Sequence, residues 1–342
     1  MIDIQLFKDI LGFDSTSGSE LLVSQFLEKR IASCAPVPPV VQSWDLANGS
    51  RNLLFSWGRP AVVFCTHMDT VPPYIAPRIE GDRIWGRGSC DAKGQIMAMF
   101  TACCKLLKEG RDGFGLLLVS GEETGSWGAK AFAKVPFQAP YLIVGEPTEN
   151  KMVSASKGTK SFKISFTGQA FHSGYPQFGH SAIDSFVDFV NELRAVDFGS
   201  DPELGPTTWN IGRLVSDNPQ NVLSPELRCR IYFRTTFASD ALVETLMSGH
   251  ENGVFGVQAV EIHARGGDTP AKYFTLPGID SAPVAFGSDA PHLGGFEHKA
   301  ICGPGTIRVA HRDDEFITEA DIDTAVSQYI QMYRKIQDII NQ

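Results

Sequence analysis

The sequence predicts an α/β fold carrying a smaller α+β insert, and three observations predict it. Short apolar runs alternate with helical periodicity over the first ~150 residues, the pattern of a sheet covered by helices. After Lys157 the pattern changes to strands with one polar and one apolar face. The first pattern then resumes and ends in a long helical stretch.

Taken in order, Glu20 to Ala32 places Leu21, Leu22, Phe26, Leu27 and Ile31 at helical spacing, after a Ser/Thr/Gly-rich turn that can cap it. Leu53-Leu54-Phe55 and Ala61 to Cys65 read as short buried strands, Met97 to Lys108 as a helix, and Gly115 to Val119 and Tyr141 to Val144 as two more buried strands. In the insert, Lys160 to Phe166 alternates polar and apolar residues, Ser181 to Val196 is helical, and Trp209-Asn210-Ile211 and Arg228 to Phe233 read as strands. Ala241 to Met247 adds a second helix, giving a βαββαβ-like, open-faced sandwich. Glu319 to Ile340 closes the chain as a helix. The expected division is therefore residues 1–157 with 267–342 as one domain and 158–266 as the other.

Composition removes several classes. The 342 residues are 43% hydrophobic and 20% charged, so the chain is globular rather than disordered. Thirty Lys and Arg stand against 39 Asp and Glu, a net charge of −9, without a basic run. That balance argues against a nucleic-acid or anionic-membrane surface. No run reaches the roughly 18–20 apolar residues of a membrane span. Met1-Ile2-Asp3-Ile4 has no basic region of the kind a signal peptide carries. The seven cysteines are scattered and form no CxxC pair, which fits reduced thiols and a cytoplasmic setting.

In α/β sheets, ligands collect beyond the carboxyl ends of the strands. Ala61–Cys65 runs into Thr66-His67-Met68-Asp69, Leu116–Val119 into Ser120-Gly121-Glu122-Glu123, and Leu142–Val144 into Gly145-Glu146-Pro147-Thr148. Gly86-Arg87-Gly88-Ser89-Cys90 leads to Asp91, and Gly303-Pro304-Gly305 precedes Ala310-His311. Imidazoles with carboxylates suit Zn²⁺, Mn²⁺ or Co²⁺. His67, Asp91, Glu123, Glu146 and His311 supply enough ligands for two metals with a bridging carboxylate. Asp69 is spaced to hold the second imidazole nitrogen of His67, which leaves Glu122 as a base. Singly, each has a plainer reading: Asp91 could cap the next helix, and Glu122-Glu123 could be a solvated turn. Gly86-Arg87-Gly88 hints at a phosphate cradle, but a third glycine is missing and Asp91 would repel the phosphate. Cys90 has a packing role, and His180, His250, His263, His292 and His298 stay unassigned.

HMDTVP (67–72), GRGSCDAKG (86–94), SGEETG (120–125), GEPT (145–148), AFHSG (170–174) and AHRDDEF (310–316) resemble, in order and spacing, the motifs of the M20 metallopeptidase and deacylase family. The resemblance spans nearly the whole chain. It implies a zinc-dependent, exopeptidase-like catalytic domain with an inserted ferredoxin-like lid that commonly dimerises, so a homodimer. By the same resemblance Asp91 bridges two divalent metals, most often zinc, with cobalt or manganese as substitutes. His67 and Glu146 hold one metal, Glu123 and His311 the other. Glu122 is the general base and Asp69 the partner of His67. His172 stabilises the oxyanion, often in the other subunit, while Asn221 and Arg234 bind a substrate carboxylate.

The implied reaction is amide hydrolysis by a metal-activated water that gives its proton to Glu122. TTWNIGRL (207–214) and CGPGTIRVAHRDDEF (302–316) are most similar to the acetylornithine and acetylcitrulline deacetylase branch, an activity of arginine biosynthesis. The expected substrate is thus an N-acylated amino acid such as N-acetylornithine. A desuccinylase, aminoacylase or small exopeptidase of the same family is the alternative, and a non-catalytic binding paralogue the outsider. Two departures stand out: the stretch from Asp268 to Phe286 is short for the family, and Gln95 stands where many relatives have a second glycine.

Overall fold

The strands Val62–His67 and Phe114–Val119 are buried along their whole length, and Ala139–Val144 nearly so. Apolar runs of this kind are stable only between two covering layers. A computed structural model describes residues 2–248, 253–257 and 260–342, which leaves His250 outside the described residues. The chain divides into two compact units, the first comprising Met1–Ser154, Tyr273–Ala282 and Ser288–Gln342, the second Ala155–Lys272 and Pro283–Gly287.

The first unit is built on a six-stranded sheet in the order Val40–Asp45, Arg51–Trp57, Phe114–Val119, Val62–His67, Ala139–Val144, Phe296–Ile301. The last four are parallel and the first two pair antiparallel at one edge. Register sets the chemistry: His67 lies opposite Val119, and Cys65 opposite Val144, which in turn faces Ile301. The strand-end segments therefore leave the sheet at one level. The helices Lys93–Lys108 and Glu319–Ile340 pack on each other, and rings tie the second to the sheet. Phe64 meets Tyr329 edge-on at 5.8 Å, and Phe114 meets Tyr333 at 5.5 Å. A capping box of Thr318 and Asp321 starts the C-terminal helix. A small antiparallel sheet pairs Phe316–Thr318 with Arg83–Trp85, and that strand with Arg78–Glu80.

The second unit is a four-stranded antiparallel sheet, ordered Thr208–Val215, Glu226–Thr235, Gly158–Thr167, Val260–Gly266. Residues alternate exposed and buried along Glu226–Thr235. The buried set, including Phe162, Phe166, Ile231 and Phe233, packs with Phe189 and Leu193 of helix Ala182–Ala195 and Val243 and Met247 of helix Asp240–Ser248. The element order is βαββαβ. Among the described residues no helix is long and apolar enough to cross a membrane.

Some elements differ from the sequence reading. The third helix begins at Lys93 rather than Met97, because Lys93, Gly94 and Gln95 are all buried against the rest of the unit and so break the polar-outside pattern. The helix Ile4–Leu11 and the strands Val40–Asp45 and Phe296–Ile301 were not anticipated. FEHKAI is too polar to resemble a strand, yet it completes the sheet through backbone pairing with Ala139–Val144.

Candidate active site

His67 ends its strand fully buried, and its Nε2 lies 3.1 Å from Asp91 Oδ1. The other Asp91 oxygen lies 3.4 Å from His311 Nε2, and that same nitrogen is 2.9 Å from Glu123 Oε1. Asp91 thus stands between two imidazoles. It is not used as a helix cap: the cap position falls on Ala92, without a side-chain bond. The ligand atoms of His67, Asp91 and Glu123 all lie within 4.8 Å of one another, close enough for metal ligation around Asp91.

Asp69 organises the loop that carries the two glutamates. Its Oδ1 accepts from the amides of Gly121 and Glu122 at 2.9 and 3.0 Å, and its Oδ2 from the Glu123 amide at 3.2 Å and the Ser17 hydroxyl at 2.7 Å. The Nδ1 of His67 sits closer to the Asp69 carbonyl (3.0 Å) than to its carboxylate (3.4 Å). The sequence reading paired Asp69 with His67; the two are in contact here, and the carboxylate also holds the loop through the amides of Gly121, Glu122 and Glu123. The loop's tight path requires Gly121, at φ +76°, since a Cβ there would fall 1.8 Å from the Trp127 ring.

Burial and neighbouring charges set the electrostatics of this cluster. Burial alone would depress the His67 imidazolium, but Asp69 and Asp91 outweigh it and push its pKa well up. Contacts with Asp91 and then Glu123 raise His311 to about 10. Loss of water, reinforced by neighbouring carboxylates, pushes Glu122 and Glu146 well above the usual carboxylate range and raises Glu123 as well. Only Asp91 and Asp69 are lowered: desolvation opposes this, but His311 and His67 overcome it for Asp91, and His67 for Asp69. Glu146 Oε1 is buried without a hydrogen-bond partner. Crowded buried carboxylates, one of them orphaned, beside two imidazoles form a donor set that divalent cations would neutralise.

His172, Asn221 and Arg234 lie in the second unit. His172 Nδ1 accepts from the Gly174 amide at 3.0 Å, and the carbonyl of Asn221 accepts from the Ser173 amide at 2.9 Å, so those two loops are tied together. Arg234 lies over the Tyr232 ring at 4.9 Å. Sequence reasoning missed Asp289, which is buried among the influences of His67, Asp69, Glu122 and Glu146. Neither of its carboxylate oxygens meets a donor in hydrogen-bond geometry, the Ser126 hydroxyl making only a weaker contact, and burial pushes it up to about 6. Asp289 stands three residues beyond the apolar run Ala282 to Phe286, which includes the end of strand Ser281–Val284; that run was not assigned as a strand, so the search of strand ends passed Asp289 by. Arg87 and Glu315 were quoted within motifs but given no role. Gln95, where the resemblance expects glycine, donates to the carbonyls of Cys90 (3.2 Å) and Pro304 (2.8 Å).

Comparison with known proteins gives the family of the chain. Residues 63–335 match the model of peptidase family M20/M25/M40. An M20 peptidase-domain protein of Schizosaccharomyces pombe is 34% identical over 339 residues, covering 96% of this chain and 83% of its own. A protein of Aspergillus oryzae named a probable carboxypeptidase is 32% identical, covering 95% of this chain and 85% of its own. Among solved structures, an aminopeptidase of Bacillus cereus superposes with a TM-score of 0.75 at 20% identity, covering 96% of both chains. An M20 family metallo-carboxypeptidase of Sulfolobus solfataricus gives 0.73 at 15% identity, covering 98% of this chain and 99% of its own. With a matched model over most of its length and relatives above 30% identity, the chain belongs to peptidase family M20.

Proposed function

We propose that the protein is a metal-dependent hydrolase of amide bonds in N-acylated amino acids or short peptides that carry a free carboxylate. The observation that carries this reading is Asp91, held between His67 and His311 with Glu123 alongside. His67 and Glu146 would hold one divalent cation, Glu123 and His311 a second, with Asp91 shared, zinc being the first choice. Cations in that set would polarise an amide carbonyl and acidify water. Glu122 takes the proton of the attacking water and returns it to the leaving amine, a role suited to a carboxylate that desolvation makes more basic than usual. Its backbone is fixed by Asp69, so the base is positioned before substrate arrives.

In this reading residues 1–157 with 267–342 are the catalytic domain, and 158–266 a lid that also makes a homodimer. His172 donates to the developing oxyanion, and Asn221 and Arg234 hold the substrate carboxylate, Arg234 by its two-pronged fork. The motif resemblance favours N-acetylornithine. The name of the Aspergillus oryzae relative favours a peptide with a free C-terminus.

The test is metal content together with hydrolysis of N-acetylornithine, N-acetylcitrulline, N-succinyl-diaminopimelate, N-acetylmethionine and dipeptides, with and without chelator. Chelator-sensitive release from one substrate, with two metals per chain, supports the reading. Release from dipeptides alone selects the carboxypeptidase form. A protein that takes up no metal from excess zinc overturns the proposal.

A further inference from the structure

Arg87 and Glu315 form an ion pair at 2.7 Å with side chains only 1% and 0% exposed. A pair so buried must be desolvated, and an apolar pair of similar volume would often serve stability as well. Its contacts indicate what it does instead. Glu315 Oε1 accepts from the amides of Cys90 and Asp91, both at 3.0 Å. Arg87 Nη1 donates to the Arg312 carbonyl at 3.1 Å, and Arg87 Nε to the Pro73 carbonyl at 3.2 Å. Each side chain thus grips the segment that the other belongs to. The pair sits where the strands Arg83–Trp85 and Phe316–Thr318 stop pairing. From there the chain runs on from Arg87 to Asp91, and back from Glu315 to His311.

We infer that the Arg87–Glu315 pair is a positioning strut that sets Asp91 and His311 at their mutual distance, and that the Glu123–His311 side of the metal site depends on it more than the His67–Glu146 side. This rests on the metal reading above. The asymmetry follows from support. His67 ends a strand paired on both sides, whereas His311 lies on a loop, 47% exposed, in a left-handed conformation at φ +64°. The Arg312 carbonyl, one residue on, is where Arg87 restrains that loop.

The experiment titrates zinc into metal-free protein against a chromophoric chelator and repeats the titration with Co²⁺, reading its visible spectrum. Arg87→Lys keeps the charge but not the fork. The double variant Arg87→Met with Glu315→Met keeps bulk without charge. Thermal unfolding of the metal-free proteins reports the fold. Both variants are expected to unfold like wild type and to bind the first metal within about threefold of it, while the second binds about 10- to 100-fold more weakly. The Co²⁺ spectrum should change only at the second equivalent. Variants that titrate as wild type does, or that weaken both metals equally, overturn the strut while leaving the metal reading intact. Wild-type protein that binds no metal overturns both.

Discussion

The two sheets handle polar side chains in opposite ways. In the first unit the central strands are buried on both faces, so a polar group can appear only where a strand ends. His67, the Glu122–Glu123 loop and Glu146 all stand at such ends, at one level of the sheet. In the second unit every other residue of Glu226–Thr235 faces out, so polar groups are spread along the strand. A doubly covered sheet concentrates chemistry at an edge, whereas a half-covered sheet offers a face. That difference gives the first unit the metal-type cluster and leaves the second with dispersed candidates for recognition.

The comparison is most sharply tested by Glu122→Gln, which should lower turnover about 10²- to 10⁴-fold while metal content, measured by elemental analysis, stays unchanged. A variant near the wild-type rate would remove Glu122 from the base role. Next in size is packing. Phe64→Ala, between Phe114 and Tyr329, should lower unfolding stability by about 3–5 kcal/mol in denaturant titration. The matched change on the open face, Tyr232→Ala, removes a ring 38% exposed and should cost under about 1 kcal/mol. Equal losses would mean the two sheets are not supported differently. In the second unit, His172→Ala and Arg234→Ala should reduce kcat/KM by about 10- to 100-fold with both metals retained. Metal loss in either variant would contradict the division of roles.

The smallest effect expected is on pH. His67 and His311 have raised pKa values in the folded protein, so the stability they contribute is complete below the ordinary histidine pKa and is lost as pH rises through the raised values, about 10 for His311. Asp289, raised to about 6, acts with the same sign between the usual aspartate range and that value. Metal-free protein should therefore lose stability on going from about pH 6.5 to 9.5. Metal ligation requires neutral imidazole, so cation affinity should increase over the same range and the gap in Tm between loaded and metal-free protein should widen. Calorimetry of the two forms at several pH values measures this; a gap that narrows with pH would contradict the assignment of the histidines as ligands.

Much of this was legible in the chain itself. The final helix and the alternation of the insert follow from periodicities of 3.6 and 2, and the strand Val62–His67 from an unbroken apolar run, all local properties of the sequence. His67, Asp91, Glu122, Glu123, Glu146 and His311 were legible as candidates because strand ends and ordered motifs are also local. What the tertiary structure alone decided was how those residues are held. The carboxylate of Asp69 also holds the amides of 121–123, Glu315 reaches the amides of Cys90 and Asp91 from more than 220 positions away, and Gln95 bonds Pro304. Asp289 enters the cluster from the loop after Ser281–Val284, a short strand that the sequence reading did not assign. Burial and hydrogen-bond partnership depend on which distant segments meet, and no periodicity records that. The order of apolar and polar residues along the chain determined its two kinds of sheet; only their folding decided where the charges inside them would be paired and where they would be crowded together.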